Sequence, residues 1–385
     1  MTRRLYSRPM ASVSISARRI SSMLANRHQS VAAAASVIPL TAELAVLATD
    51  DCEVEFDDLV ALAKHFKRPW SYLLIDEPEV FDSAGEDNRS LGNQRRPPSP
   101  ELLDEIEAVI DMLDAAAELF PETRHEIPPM RITPDTPPEI AGAAIRAFLG
   151  VTTEEQVAAR DPYEALRLWG DALQGRGVYF AQRGLHDDTV RAFSRVSGEQ
   201  AVVVVDTEDP PYARVFSLLH EYCHVILRST GVCDLSDHST VERHCNAVAA
   251  AALMPLTLVR SILAGRRFGV SPDADDDLIQ SLSRGMHVSQ AALLIRLRDV
   301  GVLDQPAFDE LESRRAGRRA DQEKRGGTYY PPKINRVGRR YAHNVFGALD
   351  DGLIDRQDAA TLLEIGQHLI PTYREELDKP AGRSR

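Results

Sequence analysis

Two histidines and a glutamate in the stretch FSLLHEYCHVILRS have the types and spacing of a metal-dependent hydrolytic site. His220 and His224 are four residues apart, so on a helix they point in nearly the same direction and can bind one cation. Zinc is favoured, because it accepts imidazole nitrogens in tetrahedral geometry. Glu221 lies about 100° around the helix from His220, beside the cation. A carboxylate in that position can serve as the general base that activates water.

A catalytic zinc usually has three protein ligands, so a further donor is needed. We predict Glu242, because it opens the stretch VERHCNAVAAAALMP, a helix whose alanine-rich side can pack closely against the helix of the histidines. Asn246 follows one turn later on the same face. It is predicted to support the site by accepting a hydrogen bond from a ligand histidine.

Other donors near the motif remain alternatives to Glu242. All four follow the motif in the chain: Cys233, His238, His244 and Cys245. His244 and Cys245 are favoured over Cys233 and His238. Cys223 points about 100° away from His224, so we predict a packing role for it. A match to HExxH can also arise by chance on a core helix. Here apolar neighbours predict that the helix is buried, and a metal supplies the partner that buried imidazoles need.

Composition and charge narrow the class of protein. The 385 residues carry a net charge of −13, which argues against a protein coated with nucleic acid along its length. Six arginines and no acidic residue precede Glu43, a pattern shared by basic arms and organelle transit peptides. No apolar run reaches the ~18 residues of a membrane span, and four cysteines are too few for a disulfide framework. We predict a cytoplasmic protein with no membrane partner, and an imported organelle peptidase is the minor alternative.

The order of helical and strand patterns predicts an α+β fold that is mainly α. Glycine, serine and proline are concentrated at 81–100, which therefore reads as a linker. The predicted organisation is a helical, helix-turn-helix-like module at 1–80, the linker, a zincin-like peptidase domain with a small β-sheet at 101–258, a helix-turn-helix-like extension at 259–305, a basic linker at 306–330 and a C-terminal helical region at 331–385.

The small sheet is predicted from three short runs of β-type residues at 178–181, 192–196 and 201–205. They lead directly into the helix of the histidines. We expect the run at 201–205 to present an edge on which a substrate can lie as an added strand. Tyr212 and Tyr222 are the candidates for stabilising the oxyanion.

The motif HEYCH, followed by ERHCNAVAAAALMP, resembles the ImmA/IrrE family of zinc metallopeptidases. The resemblance extends through RVFSLLHE and GEQAVVVVD, and more weakly through EDNRSLGN and GGTYYPPKINRVGRRY. It implies a gluzincin-like site in which His220, His224 and Glu242 bind one zinc ion and Glu221 is the catalytic base. It also implies a protein substrate, because known members cleave helix-turn-helix repressors. Arg228 replaces a histidine that is frequent in the family but is not expected to bind the metal.

Many relatives carry an N-terminal XRE-type helix-turn-helix, and residues 1–80 resemble a divergent form of it. Its predicted recognition helix, TAELAVLAT at 41–49, has no Arg, Lys, Asn or Gln to reach a base edge. The acidic run between Asp50 and Asp58 would repel phosphates, so DNA is a weakly supported partner. The alternative function is a DNA-binding regulator or antitoxin-like protein whose zinc site is structural or sensory.

Overall fold

The computed structural model describes residues 12–26, 29–66, 73, 98–228, 232–234, 240–269, 271–318 and 330–379. It is mainly α with two small sheets, which confirms the predicted fold class. The chain forms two compact units, Met1–Gly92 and Asn93–Arg385. The division falls within the predicted linker, of which 81–97 lie outside the described residues. The predicted boundaries at 258, 305 and 330 all fall inside the second unit.

The described part of the first unit contains short helices and a two-stranded ribbon. Strand β1 (Ser12–Ile15) pairs antiparallel with β2 (Cys52–Glu55). The helices are α1 (Ala17–Asn26), α2 (Val31–Ala35), α3 (Leu44–Leu47) and α4 (Phe56–His65). Apolar side chains from the ribbon and the helices form one core, among them Ile15, Ile20, Leu47, Val54 and Leu59. The helices agree with the helical module predicted for residues 1–80, whereas the ribbon was not predicted.

The helix predicted at 41–49 is shorter than expected, because α3 is a single turn over Leu44–Leu47. The buried carboxylate of Asp58 accepts hydrogen bonds from the Thr41 amide (2.8 Å), the Thr41 hydroxyl (2.7 Å) and the Ala42 amide (3.0 Å). Burial opposes the ionisation of Asp58, but these bonds lower its pKa overall. They hold Thr41 and Ala42 in the loop before α3, which leaves a helix only about 6 Å long.

The second unit is built around a four-stranded sheet in the order β3-β5-β4-β6. Its strands are β3 (Tyr179–Arg183), β4 (Val190–Ser197), β5 (Gln200–Asp206) and β6 (Val232–Asp234). The first three confirm the predicted runs. β5 is parallel to β3 and antiparallel to β4, so both of its edges are hydrogen-bonded. The prediction of a free edge at 201–205 is therefore wrong, and the unbroken valine run instead reflects a strand covered on both faces.

Helices cover both faces of this sheet. Before the motif lie α5 (Pro100–Leu119), α6 (Pro138–Leu149), α7 (Thr153–Ala158) and α8 (Pro162–Gly175). After β5 come α9 (Pro211–Leu227), α10 (Thr240–Leu253), α11 (Leu256–Leu263), α12 (Pro272–Met286), α13 (Gln290–Asp299), α14 (Gln305–Arg318), α15 (Tyr330–Val337), α16 (Arg339–Asp350), α17 (Arg356–Leu362) and α18 (Ile370–Asp378). Helices α6 and α8 to α14 share a core with one face, and α5 with α15 to α18 share a core with the other.

The predicted helix-turn-helix extension exists as a hairpin of α12 and α13, joined by residues 287–289. His287 makes the turn with a left-handed φ of 55°. The second helix of the hairpin is largely internal, since Leu293 and Arg296 are buried. Arg298 lies over the ring of Phe308, 4.7 Å from its centroid. Arg296 and Arg298 of the second helix are therefore packed within the second unit.

The apolar helices near the motif are core helices. No single helix among the described residues is long and apolar enough to cross a membrane. α10 and α11 have such a composition only when taken together across a bend of 48°. Their apolar side chains are buried, among them Val248, Ala249, Leu253, Leu258 and Val259.

A buried ion network fastens the C-terminal helices to the sheet. Arg183 on β3 is fully buried and contacts Glu105 on α5 (2.8 Å) and Glu364 after α17. Arg336 on α15 contacts the same two carboxylates, at 3.1 Å and 2.5 Å. Burial opposes the charge of Glu364, but both arginines lower its pKa. Two carboxylates and two guanidinium groups thus neutralise one another where four elements meet.

We expect Arg183→Met to lower the free energy of unfolding by about 3 kcal/mol, because it removes the fully buried arginine that pairs with two partly buried carboxylates. Urea unfolding followed by circular dichroism measures the change. Arg124→Met is the control, since Arg124 pairs with Glu199 at the surface, where both side chains are 62% exposed. That variant is expected to stay within about 0.5 kcal/mol of the wild type. Equal stabilities for the two variants would contradict the role given to the network.

Candidate metal centre

Helix α9 carries both motif histidines, and Arg214 fixes its start relative to the sheet. The guanidinium group donates to the carbonyls of Asp209 (2.7 Å) and Thr207 and to the side-chain oxygen of Gln182 on β3 (3.1 Å). The turn between β5 and α9 is thereby tied to the first turn of the helix. This accounts for the arginine in RVFSLLHE, which acts on the position of the helix rather than on the metal.

Helix α10 lies close to both α6 and α9 because its contact residues are small. A Cβ atom at Gly142 on α6 would lie 2.7 Å from the backbone nitrogen of Ala252, so only glycine fits. Towards α9, the fully buried thiol of Cys245 lies beside that of Cys223, and this neighbour together with burial raises the pKa of Cys245. The alanine-rich side predicted to face the motif helix also serves the contact with α6.

The two helices bring three metal-binding side chains together. His220 Nε2 lies 3.1 Å from His224 Nε2, and the Glu242 carboxylate oxygens lie 3.1 Å and 3.0 Å from these nitrogens. All three side chains are buried. Metal–ligand bonds of about 2.0–2.1 Å in a tetrahedral site separate the ligand atoms by roughly 3.3 Å. The observed triangle therefore fits a zinc ion that keeps one further position open.

Charges in the site are strongly coupled. Burial alone would lower the pKa of His224, but the hydrogen bond to Glu242 and the charges of Glu221 and Glu242 raise it to about 9. Burial opposes the ionisation of Glu242, yet the hydrogen bonds from the two histidines bring its pKa well below the usual range. Without metal, a proton on His224 is therefore favoured, and a cation must displace it.

Glu221 is the fourth member of the site. Its side chain is fully buried, and neither carboxylate oxygen has a hydrogen-bond partner in the described part of the chain. A buried carboxylate without a partner is costly for stability, so such a group calls for a functional explanation. Its place next to His220 on the helix, turned aside from the metal-binding atoms, suits the predicted general base.

Among the described residues, no alternative donor joins the two histidines and Glu242. His244 follows Glu242 by two residues and so points about 200° away from it. It is buried with an unpartnered Nε2, and burial lowers its pKa against the opposing charge of Asp135. Cys223 and Cys245 contact each other, as a packing role for Cys223 requires. The side chain of Cys233 and all of His238 lie outside the described residues.

Asn246 was predicted to accept a hydrogen bond from a ligand histidine, and it accepts none from His220. Asn246 is exposed, and His220 Nδ1 has no hydrogen-bond partner among the described residues. Support of His224 by Asn246 stays a prediction. The helical position of Asn246, one turn after Glu242, is as expected.

Neither tyrosine lies where an oxyanion would form. The hydroxyl of Tyr222 is directed to the carbonyl of Glu126 (3.3 Å), and its ring is fully buried on the side of α9 away from the histidines. Tyr212 precedes His220 by eight residues, which is about 12 Å along the helix axis. The structure thus gives no support to these two candidates.

Sequence reasoning missed three buried side chains at the far end of α10: Arg146, Gln156 and Arg296. The signal was present in Met254-Pro255, because proline ends a helix and leaves carbonyl groups that need other donors. The identity of those donors could not be predicted from the sequence, because they lie on three separate helices.

Comparison with known proteins gives a family match over the part of the chain that contains the site. Residues 174–298 match the model of peptidase family M78, described as the IrrE N-terminal-like domain. The matched range contains the sheet, α9 and α10, and so all four residues of the site. The match supports the predicted ImmA/IrrE family and a function of the metallopeptidase type. A comparison with curated proteins found no match.

We expect Glu242→Ala to weaken zinc binding by more than about 100-fold, because even partners outside the ligand set contribute about 10- to 100-fold. Metal analysis after dialysis and competition with a chromophoric chelator measure the loss. His244→Ala is the matched control, a buried residue on the same helix that points away. A zinc loss caused by His244→Ala, with Glu242→Ala unaffected, would reassign the third ligand.

Zinc affinity is expected to rise with pH up to about 9. The pKa of His224 is raised from 6.5 to about 9, so at neutral pH the metal-free protein holds a proton that binding must release. For one proton, the apparent affinity increases about tenfold per pH unit below that pKa. Titrations between pH 6.5 and 9.5 test the slope, and calorimetry in two buffers counts the protons. An affinity that is constant above pH 7 would contradict the raised pKa.

Proposed function

We propose that this chain is a cytoplasmic zinc-dependent endopeptidase with a regulatory substrate. The observation that carries the proposal is the convergence of His220, His224 and Glu242 at 3.0–3.1 Å beside the unpartnered carboxylate of Glu221. A metal used only for structure needs ligands but no buried carboxylate next to them. The match to an IrrE N-terminal-like domain supports the same reading.

The residues of the site divide the chemistry of peptide hydrolysis among them. A zinc ion held by the two histidines and Glu242 would supply Lewis acidity to polarise the scissile carbonyl and acidify water. Glu221 takes a proton from the attacking water and delivers it to the leaving amide nitrogen. Because Glu221 is fully buried, its charge acts in a medium of low dielectric constant, where it is little screened.

The substrate we propose is a helix-turn-helix transcriptional repressor, cleaved as a separate protein. Its support is the family resemblance together with the first unit, which we take to be a divergent XRE-type module. DNA binding by that module is disfavoured by the single turn of α3 and by exposed acidic side chains, among them Glu43, Asp50 and Asp57. Asp51 and Glu53 serve the fold, accepting hydrogen bonds from Ala17 and Ser12.

The test is cleavage of a panel of helix-turn-helix repressors from the same organism by zinc-loaded protein. We expect Glu221→Gln to reduce cleavage by about 100- to 10,000-fold while zinc binding is retained, because the variant lacks only the proton acceptor. Glu199→Gln, at an exposed glutamate of the same unit, is the control and is expected to cleave normally.

The competing function makes opposite predictions in the same experiment. A DNA-binding regulator with a structural or sensory zinc site would cleave none of the repressors. It would bind DNA in a salt-dependent way that survives Glu221→Gln and is lost when residues 1–80 are deleted. That outcome would replace the peptidase proposal.

A further inference from the structure

We propose that Arg146, Gln156 and Arg296 position Glu242 for metal binding from the opposite end of its helix. We call these three residues the α10 clamp. The inference rests on the zinc site of the proposed function but not on peptidase activity. It gives a role to buried polar side chains that the chemistry of the site does not use.

Each clamp residue donates a hydrogen bond to one of three successive carbonyls at the C-terminal end of α10. The bonds run from Arg146 Nη1 to Ala252 (2.8 Å), from Gln156 Nε2 to Leu253 (3.0 Å) and from Arg296 Nε to Met254 (3.0 Å). Pro255 ends the helix and has no backbone N–H to donate. The clamp therefore supplies donors where the main chain supplies none, and the two guanidinium groups lie at the negative end of the helix dipole.

The clamp is itself held by neighbouring helices. Arg146 on α6 donates to the side-chain oxygen of Gln156 on α7 (2.7 Å), and Gln156 also donates to the carbonyl of Met286 at the end of α12 (2.8 Å). Arg296 on α13 forms a two-pronged ion pair with Glu139 on α6 (2.6 Å and 2.9 Å). The end of α10 is thus fixed to four helices, with the clamp residues at most 8% exposed.

This anchorage reaches Glu242 because a helix moves as a rigid rod. Glu242 and Leu253 are eleven residues apart, about 17 Å along the axis. Sliding or rotation of α10 at its C-terminal end therefore moves the Glu242 carboxylate relative to the histidines on α9. Metal–ligand distances in proteins stay within about 0.2 Å of their standard values, so a small displacement of the carboxylate is sufficient to weaken binding. The close contact of Gly142 with Ala252 adds to the restraint at the same end.

A purely structural cap would make the same contacts, so the test must separate zinc affinity from stability. Arg183 offers a matched comparison. It is buried like Arg296 (0% and 4% exposed) and also pairs with carboxylates, but it lies in the core on the other face of the sheet. We expect Arg183→Met to lower the stability of the protein without displacing α10.

The experiment compares Arg296→Met, Gln156→Leu and Arg183→Met in the full chain, at a temperature where circular dichroism shows each to be folded. Zinc affinity is measured by chelator competition, without substrate. We expect the two clamp variants to raise the zinc Kd by about tenfold, within the range seen for residues that support metal ligands. Arg183→Met is expected to stay within about twofold of the wild type, and Arg296→Lys, which keeps one donor, to fall between wild type and Arg296→Met.

Zinc affinities within about twofold of wild type in both clamp variants would overturn the proposal, as would an equal loss in Arg183→Met. If Arg296→Met does not fold, Gln156→Leu and Arg296→Lys carry the same comparison. A wild-type protein that binds no zinc would instead remove the metal site and the proposed function with it. The two failures are therefore distinguishable.

Discussion

The whole second unit depends on one constraint, that a carboxylate from α10 must reach two imidazoles on α9. The histidines meet the requirement locally, because a spacing of four residues on one helix places them side by side. Glu242 lies on another helix, so its distance of about 3 Å from both nitrogens is set by packing. Towards α6, Gly142 and the alanines of α10 permit that close packing. Towards α9, the small side chains of Cys223 and Cys245 permit it.

Much of the remaining structure positions these two helices. Arg214 fixes the start of α9 to the sheet, and the α10 clamp fixes the end of α10 to four other helices. The ion network around Arg183 closes the opposite face of the sheet with the C-terminal helices. In each case a buried polar group acts at the end of an element, where the backbone leaves hydrogen-bonding groups that secondary structure does not satisfy.

Both helix-turn-helix-like patterns took on a different form from the one their spacing predicts. In the first unit, hydrogen bonds to Asp58 shorten the expected recognition helix to one turn. In the second, α13 is a helix of ten residues, but Arg296 is buried in contact with the end of α10. Helical periodicity shows which face of a helix is apolar and therefore buried. It does not show whether another element also covers the opposite face.

The sequence by itself determined the main elements around the site and the residues of the HExxH motif. Local periodicity was sufficient for α9, for β3, β4 and β5 and for the mainly α class, and the HExxH spacing was sufficient for His220, Glu221 and His224. The strand order, which places β5 inside the sheet, and the donors at the end of α10 were decided by tertiary structure. Those features join residues that are far apart in the chain: Gln156 contacts the carbonyls of Leu253 and Met286. Packing between elements, unlike periodicity within one, leaves no regular spacing in the sequence from which it can be read.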